Sequence, residues 1–282
     1  MNILLPTDLR PITDSIARAF KWLSKAAKPQ VHMVHVLDPS IYALGDISGN
    51  IVMHHETLEL ESQRAEAVLE ELQLECATRF PYATFSSEVL MGSVEERLHE
   101  LESEKNFDMI ISSTDGTHSF MRSLQGSITG NLSRKLQTPI LALPIARPLP
   151  EPLRTLVIAH EYLDESEKAD WVQSLQFFSS LNKLFDRIIL TEIVLDSNQA
   201  MRSREAMKRF ADENNLEVNE FYTPLNDELE DGLASCMDGF SDALLCLGNH
   251  QNTGFKYFLE GCTAAELINR FDRPVLSFPL RP

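Results

Sequence analysis

The sequence carries the same short motifs twice, at a fixed separation. Gln125-Gly126-Ser127 corresponds to Glu260-Gly261-Cys262, and Thr138-Pro139-Ile140-Leu141 corresponds to Arg273-Pro274-Val275-Leu276. Both pairs of motifs lie 135 residues apart (261 − 126 and 274 − 139). A unit that recurs at one spacing predicts two domains of similar fold. The length of 282 residues agrees with this, since about 150 residues make one domain.

Each half alternates short apolar runs with longer amphipathic stretches, which predicts β-α-β units around a parallel sheet. The predicted strands of the first half are Asn2–Pro6, Gln30–Leu37, Ala83–Met91, Asp108–Ser113 and Ile140–Pro144. Those of the second half are Thr155–His160, Arg187–Leu195, Glu217–Thr223, Ala243–Leu247 and Pro274–Phe278. The predicted fold class is therefore α/β, with two Rossmann-like, doubly wound, five-stranded parallel-sheet domains in tandem. Ligands of such sheets bind beyond the carboxyl ends of the strands.

Helices are predicted between these strands. The first opens near Pro11, a residue suited to an opening turn, and the second runs from about His55 to Cys76. A capping box formed by Ser93 and Glu96 starts the third.

A proline-rich stretch separates the two halves. Residues 146–152 read Ala-Arg-Pro-Leu-Pro-Glu-Pro, which can continue neither a strand nor a helix. We therefore predict a first domain over residues 1–146, a linker over 147–154 and a second domain over 155–282.

The first predicted strand ends in Pro6-Thr7-Asp8 and so places a carboxylate at its carboxyl end. Asp8 could accept a hydrogen bond from an adenine amino group or a ribose hydroxyl; such a bond to a charged group contributes about 1.5–3 kcal/mol. The alternative is structural: Asp8 caps the helix that opens near Pro11. Both interpretations remain open, because a carboxylate has two oxygens.

The fourth predicted strand runs into a loop rich in Gly, Ser and Thr that leads to a fourth helix near Gly126. Backbone N–H groups at a helix N-terminus favour a phosphate. Gly116 and Gly126 would permit a close approach of the backbone, and Ser113 and Ser127 could donate hydroxyl bonds. The alternative is a loop that only connects strand to helix.

These residues resemble a known family. Asp108–Ser113, Gly126–Leu132 and Thr138–Pro144 are similar to the C-terminal signature of the universal stress protein (UspA-like) family. Its ATP-binding members carry G-x2-G-x9-G-S/T. This chain has Ser113-x2-Gly116-x9-Gly126-Ser127, so the spacing is kept and serine replaces the first glycine.

The resemblance implies a fold like that of the adenine nucleotide alpha hydrolases and a role in resisting starvation, oxidative or DNA-damaging stress. It places Asp8 at the family's adenine-site aspartate and Val36 where a backbone group meets the adenine. Ser113, Gly116, Gly126 and Ser127 would then lie at the phosphates. The implied cofactor is ATP or another adenine nucleotide, with Mg²⁺ as a companion ion.

The second half departs from this signature. At the same spacing it carries Gly248-x2-Gln251-x9-Gly261-Cys262, so the middle glycine and the hydroxyl are absent. His160 or Glu161 stands where the first half has Asp8. We expect a degenerate second domain that is kept for its packing surface.

The last strand of each half has a predicted partner. In the family, this strand often pairs antiparallel with its counterpart in another domain. Ile140–Pro144 and Val275–Pro279 are both short, apolar and uncharged, and an uncovered apolar edge invites aggregation. We predict that the two strands pair within one chain as a pseudo-dimer. Whether two whole chains also form a homodimer stays open.

Composition excludes several classes of partner. The 25 basic and 42 acidic residues give a formal charge of −17, which argues against nucleic acid and against an acidic membrane surface. No run approaches the ~20 apolar residues of a membrane span, and no leader sequence is recognisable.

The four cysteines form no C-x-x-C pair, which predicts reduced thiols in a cytoplasmic protein. No metal site is predicted, because His32 and His35 face opposite sides of a strand.

Three functions follow from these observations. The first is a nucleotide-dependent regulatory module, in which ATP orders the loop after the fourth strand. The second is a nucleotide-independent interaction scaffold built on the paired domains; the acidic charge, which repels an anion at long range, favours it. The third is at most slow ATP hydrolysis, since no general base is evident in the loop. The sequence identifies no catalytic residue and no protein partner.

Overall fold

The computed structural model describes residues 1–45, 51–53, 55–114, 136–144, 148–163, 184–250 and 273–280. Within these residues the backbone forms a ten-stranded sheet, a separate two-stranded sheet and five α-helices. This mixed α/β architecture confirms the predicted fold class.

The first half of the chain contributes five strands to the large sheet. They are β1 (Asn2–Pro6), β2 (Gln30–Leu37), β5 (Thr84–Met91), β6 (Met109–Thr114) and β7 (Ile140–Pro144). The other elements are helices α1 (Asp14–Leu23), α2 (His55–Arg79) and α3 (Val94–Glu104), a 3-10 turn (Pro39–Tyr42), and the paired strands β3 (Ala43–Gly45) and β4 (Ile51–Met53). The β3–β4 pair has no counterpart among the predicted elements, because strands this short leave no detectable periodicity.

The second half repeats this arrangement. Its strands are β8 (Thr155–Ala159), β9 (Arg187–Thr191), β10 (Glu220–Tyr222), β11 (Ala243–His250) and β12 (Val275–Leu280). Its described helices are α4 (Ser197–Glu213) and α5 (Leu229–Asp238).

Both halves have the same strand order. Across the sheet the strands follow β10-β9-β8-β11-β12-β7-β6-β1-β2-β5, and all neighbours are parallel except β7 and β12. Within each half the chain moves outward in one direction from its first strand and then returns to the other side of it. The switch points lie between β1 and β6 and between β8 and β11, and sheets of this kind bind ligands there.

The two halves meet at the antiparallel pair β7–β12. Leu141 lies opposite Leu276, with Ala142 opposite Val275 and Ile140 opposite Ser277. Leu141 and Leu276 are equivalent positions of the repeat, so the local two-fold axis passes through this pair. Both leucines are fully buried. The structure thus contains the strand pairing that the sequence predicts.

The main hydrophobic core continues from one half into the other. One cluster of buried side chains contains Ile3 and Leu5 of β1 together with Leu156 of β8 and Leu190 of β9. The ring of Trp22 in α1 lies against that of Phe185, with 5.4 Å between the centroids. Trp22 is therefore a core residue at the contact between the two halves.

The segment predicted as a linker packs against α1. Leu149 and Leu153 are buried, and the Lys21 ammonium donates to the Glu151 carboxylate at 2.5 Å. The segment ends at β8, which begins at Thr155 as predicted.

Helix starts follow the capping residues. The Ser93 hydroxyl accepts from the N–H of Glu96 at 3.3 Å and caps α3, which confirms this part of the predicted capping box. In α1 the capping residue is Thr13, whose hydroxyl accepts from the N–H of Ile16. The structural alternative for Asp8, a cap of this helix, is therefore wrong.

Two strands of the second half are shorter than predicted by several residues, and β8 is shorter by one. The run Arg187–Leu195 forms a strand only to Thr191, because its partner β8 ends at Ala159, opposite Thr191. The chain then continues beside the segment after β10, and the N–H of Val194 donates to the Pro224 carbonyl at 3.0 Å. Likewise, β10 covers only Glu220–Tyr222 of the predicted Glu217–Thr223.

No helix among the described residues has the length and apolar character that crossing a membrane requires.

Candidate functional site

Three predicted site residues lie at the carboxyl ends of three adjacent strands. Asp8 follows β1, Val36 lies near the end of β2, and Ser113 lies near the end of β6. The sheet order is β6-β1-β2, so β1 separates the other two strands. Asp8 and Ser113 therefore border the switch point of the first half, and Val36 lies one strand farther along the same edge of the sheet. Gly116, Gly126 and Ser127 lie outside the described residues.

A tight turn after β1 presents the Asp8 carboxylate. The turn begins where the N–H of Thr7 donates to the Val34 carbonyl of β2 at 2.8 Å, which extends the β1–β2 ladder by one residue. Leu9 then adopts a φ of 67°, a left-handed conformation rare for a side chain other than glycine or asparagine. The N–H of Leu9 donates to the Thr7 hydroxyl at 3.1 Å and compensates part of this strain.

Arg10 holds the Asp8 carboxylate in place. Its backbone N–H donates to one carboxylate oxygen at 3.2 Å, and its guanidinium Nε lies 3.2 Å from the other. The Asp8 side chain is 35% exposed, so solvent and a ligand can reach it. Because the ion pair is exposed, it is weak and can open.

The backbone of Val36 lies past the end of β1. The register of β1 with β2 ends at Pro6 opposite Val34, and Val34 still accepts from Thr7. Every second residue of a parallel strand turns its N–H and C=O to the same side, so those of Val36 point toward β1 beyond its last residue. This position suits recognition of a flat ring by backbone groups.

Ser113 is half-buried in β6 and lies opposite Leu143 of β7. The preceding residue, Ser112, is buried and faces the other side of the sheet. The hydroxyl of Ser113 therefore lies one residue before the end of β6, where the loop toward Gly116 begins.

His35 is a site residue that the sequence did not single out. Its Nδ1 lies 2.8 Å from the carbonyl oxygen of Thr7. A carbonyl can only accept, so Nδ1 is the donor in this contact. The signal in the sequence is its position directly before Val36.

The second half repeats this geometry with different side chains. The N–H of His160 donates to the Thr191 carbonyl at 3.2 Å, as that of Thr7 does to Val34. This bond makes Glu161 the counterpart of Asp8, one of the two predicted alternatives, and makes Glu192 the counterpart of His35. Gln251 and Cys262 lie outside the described residues.

No group of three or more His, Cys, Asp or Glu side chains in the described ranges is arranged to hold a metal ion. The pair His32 and His35 contacts different partners: His32 bonds to Ser86 and Glu88, and His35 bonds to Thr7.

The first half of the chain matches a family model, and the whole chain resembles solved structures. The model of the universal stress protein family matches residues 1–144. A universal stress protein from Archaeoglobus fulgidus is 17% identical, with a TM-score of 0.67 over 99% of this chain and 96% of that one. A putative universal stress protein from Pseudomonas aeruginosa is 14% identical, with a TM-score of 0.61 over 99% and 93%.

The fold also occurs outside stress proteins. The cytoplasmic domain of a prokaryotic cation chloride cotransporter is 13% identical, with a TM-score of 0.50 over 98% of this chain and 94% of that one. At these identities the solved structures support the fold alone. None of the curated proteins compared with the chain matches it.

Proposed function

Because the chain belongs to the universal stress protein family, we propose that its first half binds an adenine nucleotide, and that the bound nucleotide changes a surface recognised by a partner protein. In this proposal residues 1–146 and 155–282 are two universal stress protein domains joined by residues 147–154. Only the first domain binds nucleotide.

The observation that supports the proposal is that Asp8, Val36 and Ser113 lie at or just beyond the carboxyl ends of three adjacent strands. Asp8 would accept from the adenine amino group or a ribose hydroxyl after exchanging Arg10 for the ligand. The backbone of Val36 would bond to the ring edge. These two contacts fit a ligand with a flat polar ring at one end.

The phosphates would extend toward the loop after β6. The spacing Ser113-x2-Gly116-x9-Gly126-Ser127 supplies two glycines for close approach and two hydroxyl donors. Backbone N–H groups at the start of the predicted fourth helix would bind the terminal phosphates, with Mg²⁺ offsetting their charge. Mg²⁺ also reduces the long-range repulsion between the anion and a chain of charge −17.

We propose a cytoplasmic location, because the three described cysteines are free, buried thiols. Burial raises the pKa of Cys76 and of Cys236 to about 11, and it also raises the pKa of Cys246 well above its usual value. Thiols with such pKa values stay protonated and react slowly with oxidants.

A nucleotide-independent scaffold is the second candidate, and one observation favours it. Each oxygen of the Asp8 carboxylate already contacts Arg10, so the turn is held in the absence of a ligand. A ten-stranded sheet that joins the two halves would then serve as a rigid platform for a protein partner.

Isothermal titration of the full chain with Mg-ATP separates the candidates. We expect about one site per chain. Asp8→Asn should weaken binding by about tenfold or more, because a hydrogen bond to a charged group contributes about 1.5–3 kcal/mol. Gly126→Asp should abolish binding by placing a carboxylate where phosphate approaches. The matched control, Glu70→Gln on the exposed face of α2, should bind as the unmodified chain does.

Absence of heat for the unmodified chain would reject the nucleotide site and leave the scaffold. Phosphate release above the buffer rate, abolished by Gly126→Asp, would instead establish slow ATP hydrolysis.

A further inference from the structure

The second half contains a cavity at the carboxyl ends of β8 and β9. Its volume is ≈ 550 Å³, within the range of small-molecule sites. The described lining residues are Glu161, Leu163, Glu192, Ile193, Val194, Leu195, Gln199, Asn226, Asp227 and Leu229. The cavity lies where the first half has its proposed nucleotide site, yet its lining is chemically different.

The two halves differ in charge at two equivalent positions. In the first half, Asp8 is neutralised by Arg10, and His35 stands beside it. In the second half, Glu161 and Glu192 occupy the corresponding positions. Asp227 adds a third carboxylate at the cavity, and no lysine or arginine appears among the described lining residues. An anionic ligand would therefore be repelled here.

Glu192 is the most unusual of these carboxylates because it is only 5% exposed. Ser203 donates its hydroxyl to Glu192, and the backbone N–H groups of Tyr162 and Leu163 donate to it as well. Burial nevertheless raises the pKa of Glu192, since these bonds only partly offset the loss of solvation. A buried carboxylate of this kind is stabilised by a positive charge placed beside it.

The rest of the wall is apolar. Ile193 and Val194 are buried, and Leu163 and Leu229 are half-buried. Leu195 is 65% exposed at the same cavity, so the apolar surface continues outward. A small inorganic ion would leave this apolar surface exposed to water, whereas a ligand with an apolar body would bury it.

We propose that this cavity binds a small organic cation, with its ammonium group between Glu161 and Glu192 and its apolar body along Ile193, Val194 and Leu195. Asp227 attracts the cation to the entrance. The second half is then a binding domain of opposite charge preference to the first. This inference does not depend on nucleotide binding.

A series of three probes of one shape tests the charge preference. The probes are 4-phenylbutylamine, 4-phenylbutanol and 4-phenylbutanoate, and binding to the full chain is measured by ligand-observed NMR. At pH 8 the amine stays protonated as a lysine side chain does. We expect the amine to bind about tenfold more tightly than the alcohol, and we expect no binding of the carboxylate. Equal binding of all three, or no binding of the amine, would overturn the proposal.

Two variants locate the site. Glu192→Gln and Glu161→Gln should each weaken amine binding by about tenfold while leaving binding of the alcohol unchanged. Glu192→Gln keeps an acceptor for Ser203, and circular dichroism checks that the fold is retained. Glu205→Gln on the exposed face of α4 is the matched control. Asp8→Asn should have no effect on the amine. Amine binding that survives both cavity variants would place it elsewhere and refute the assignment.

Discussion

The Glu88 carboxylate shows how one half-buried charge depends on its neighbours. It accepts from the Lys105 ammonium at 2.7 Å and bonds to the imidazole of His32. Burial raises the pKa of Glu88, but the hydrogen bonds from Lys105 and His32 outweigh burial and lower it. A carboxyl whose pKa is lower in the folded chain stabilises the fold above its unfolded pKa and loses this effect as the pH falls.

We therefore expect Glu88→Gln to lower the free energy of unfolding by about 1 kcal/mol at pH 7, a modest value because the side chain is 32% exposed and screened by solvent. The difference from the unmodified chain should shrink as the pH falls from about 5 to 3. Urea unfolding at several pH values measures it. Glu71→Gln on α2 serves as the exposed control, and a difference that persists unchanged at pH 3 would contradict the ion-pair explanation.

The position of some residues at the ends of elements was predictable because residue type and position agree. Asp8 follows an apolar run, and Ser93 stands three residues before a glutamate. The cap of α1 was not predictable, since Asp8 and Thr13 are both good capping residues and the choice depends on the turn at Leu9. A leucine gives no sign that it will adopt a positive φ, so the separation of Asp8 from the helix has no signature in the sequence.

Gly232 in α5 packs against Ile193, a side chain that lines the second-half cavity. A Cβ added there would lie 2.6 Å from the Cγ2 of Ile193, a buried side chain that lines the cavity. Replacing a helical glycine with alanine ordinarily stabilises by about 0.5–1 kcal/mol. Here the clash reverses the sign, because a branched side chain fixed in the core cannot move aside.

We expect Gly232→Ala to lower the free energy of unfolding by about 1–3 kcal/mol and to weaken amine binding. Gly239→Ala is a suitable control, since its added Cβ would meet the Cys236 carbonyl oxygen at 3.3 Å rather than 2.6 Å. Adding Ile193→Ala should relieve the clash, so the double variant should lose less stability than the two single changes combined. Purely additive losses would rule out the contact.

Element boundaries were predictable where an apolar run ends at a turn residue. The bounds of β1, β2 and β7 agree with the predicted ones for this reason. The predicted strand Arg187–Leu195 is too long because Ile193 and Val194 are as apolar as strand residues. The length of β8 sets where β9 stops, and that is a tertiary constraint that periodicity does not report.

The continuous core predicts that the two halves unfold together. Leu141→Ala and Leu276→Ala each remove a fully buried side chain on the local two-fold axis. We expect each to lower the free energy of unfolding by about 2–5 kcal/mol. Near-ultraviolet and far-ultraviolet circular dichroism should still report one shared transition. Two separate transitions in the unmodified chain would contradict a shared core.

The architecture of the whole chain was predictable because it rests on a repeat, a strand order and two apolar edge strands. The chemistry of the second half was not. The second-half site combines Glu161, which follows β8, with Glu192, which follows β9. The register of these two strands and the hydrogen bond from His160 to Thr191 bring the two carboxylates into correspondence with Asp8 and His35. Since one fold serves stress proteins and a transporter domain alike, such local side chains decide function.

The pairing of Leu141 with Leu276 joins two halves of one chain, and each half has its own sequence. When two identical chains associate, every substitution appears on both sides of the axis, so a residue that suits one side is forced on the other. Covalent fusion removes that coupling: histidine can be kept at one position while glutamate is fixed at its twin. The two halves can therefore acquire different side chains at equivalent positions, while the β7–β12 pair keeps them in one sheet.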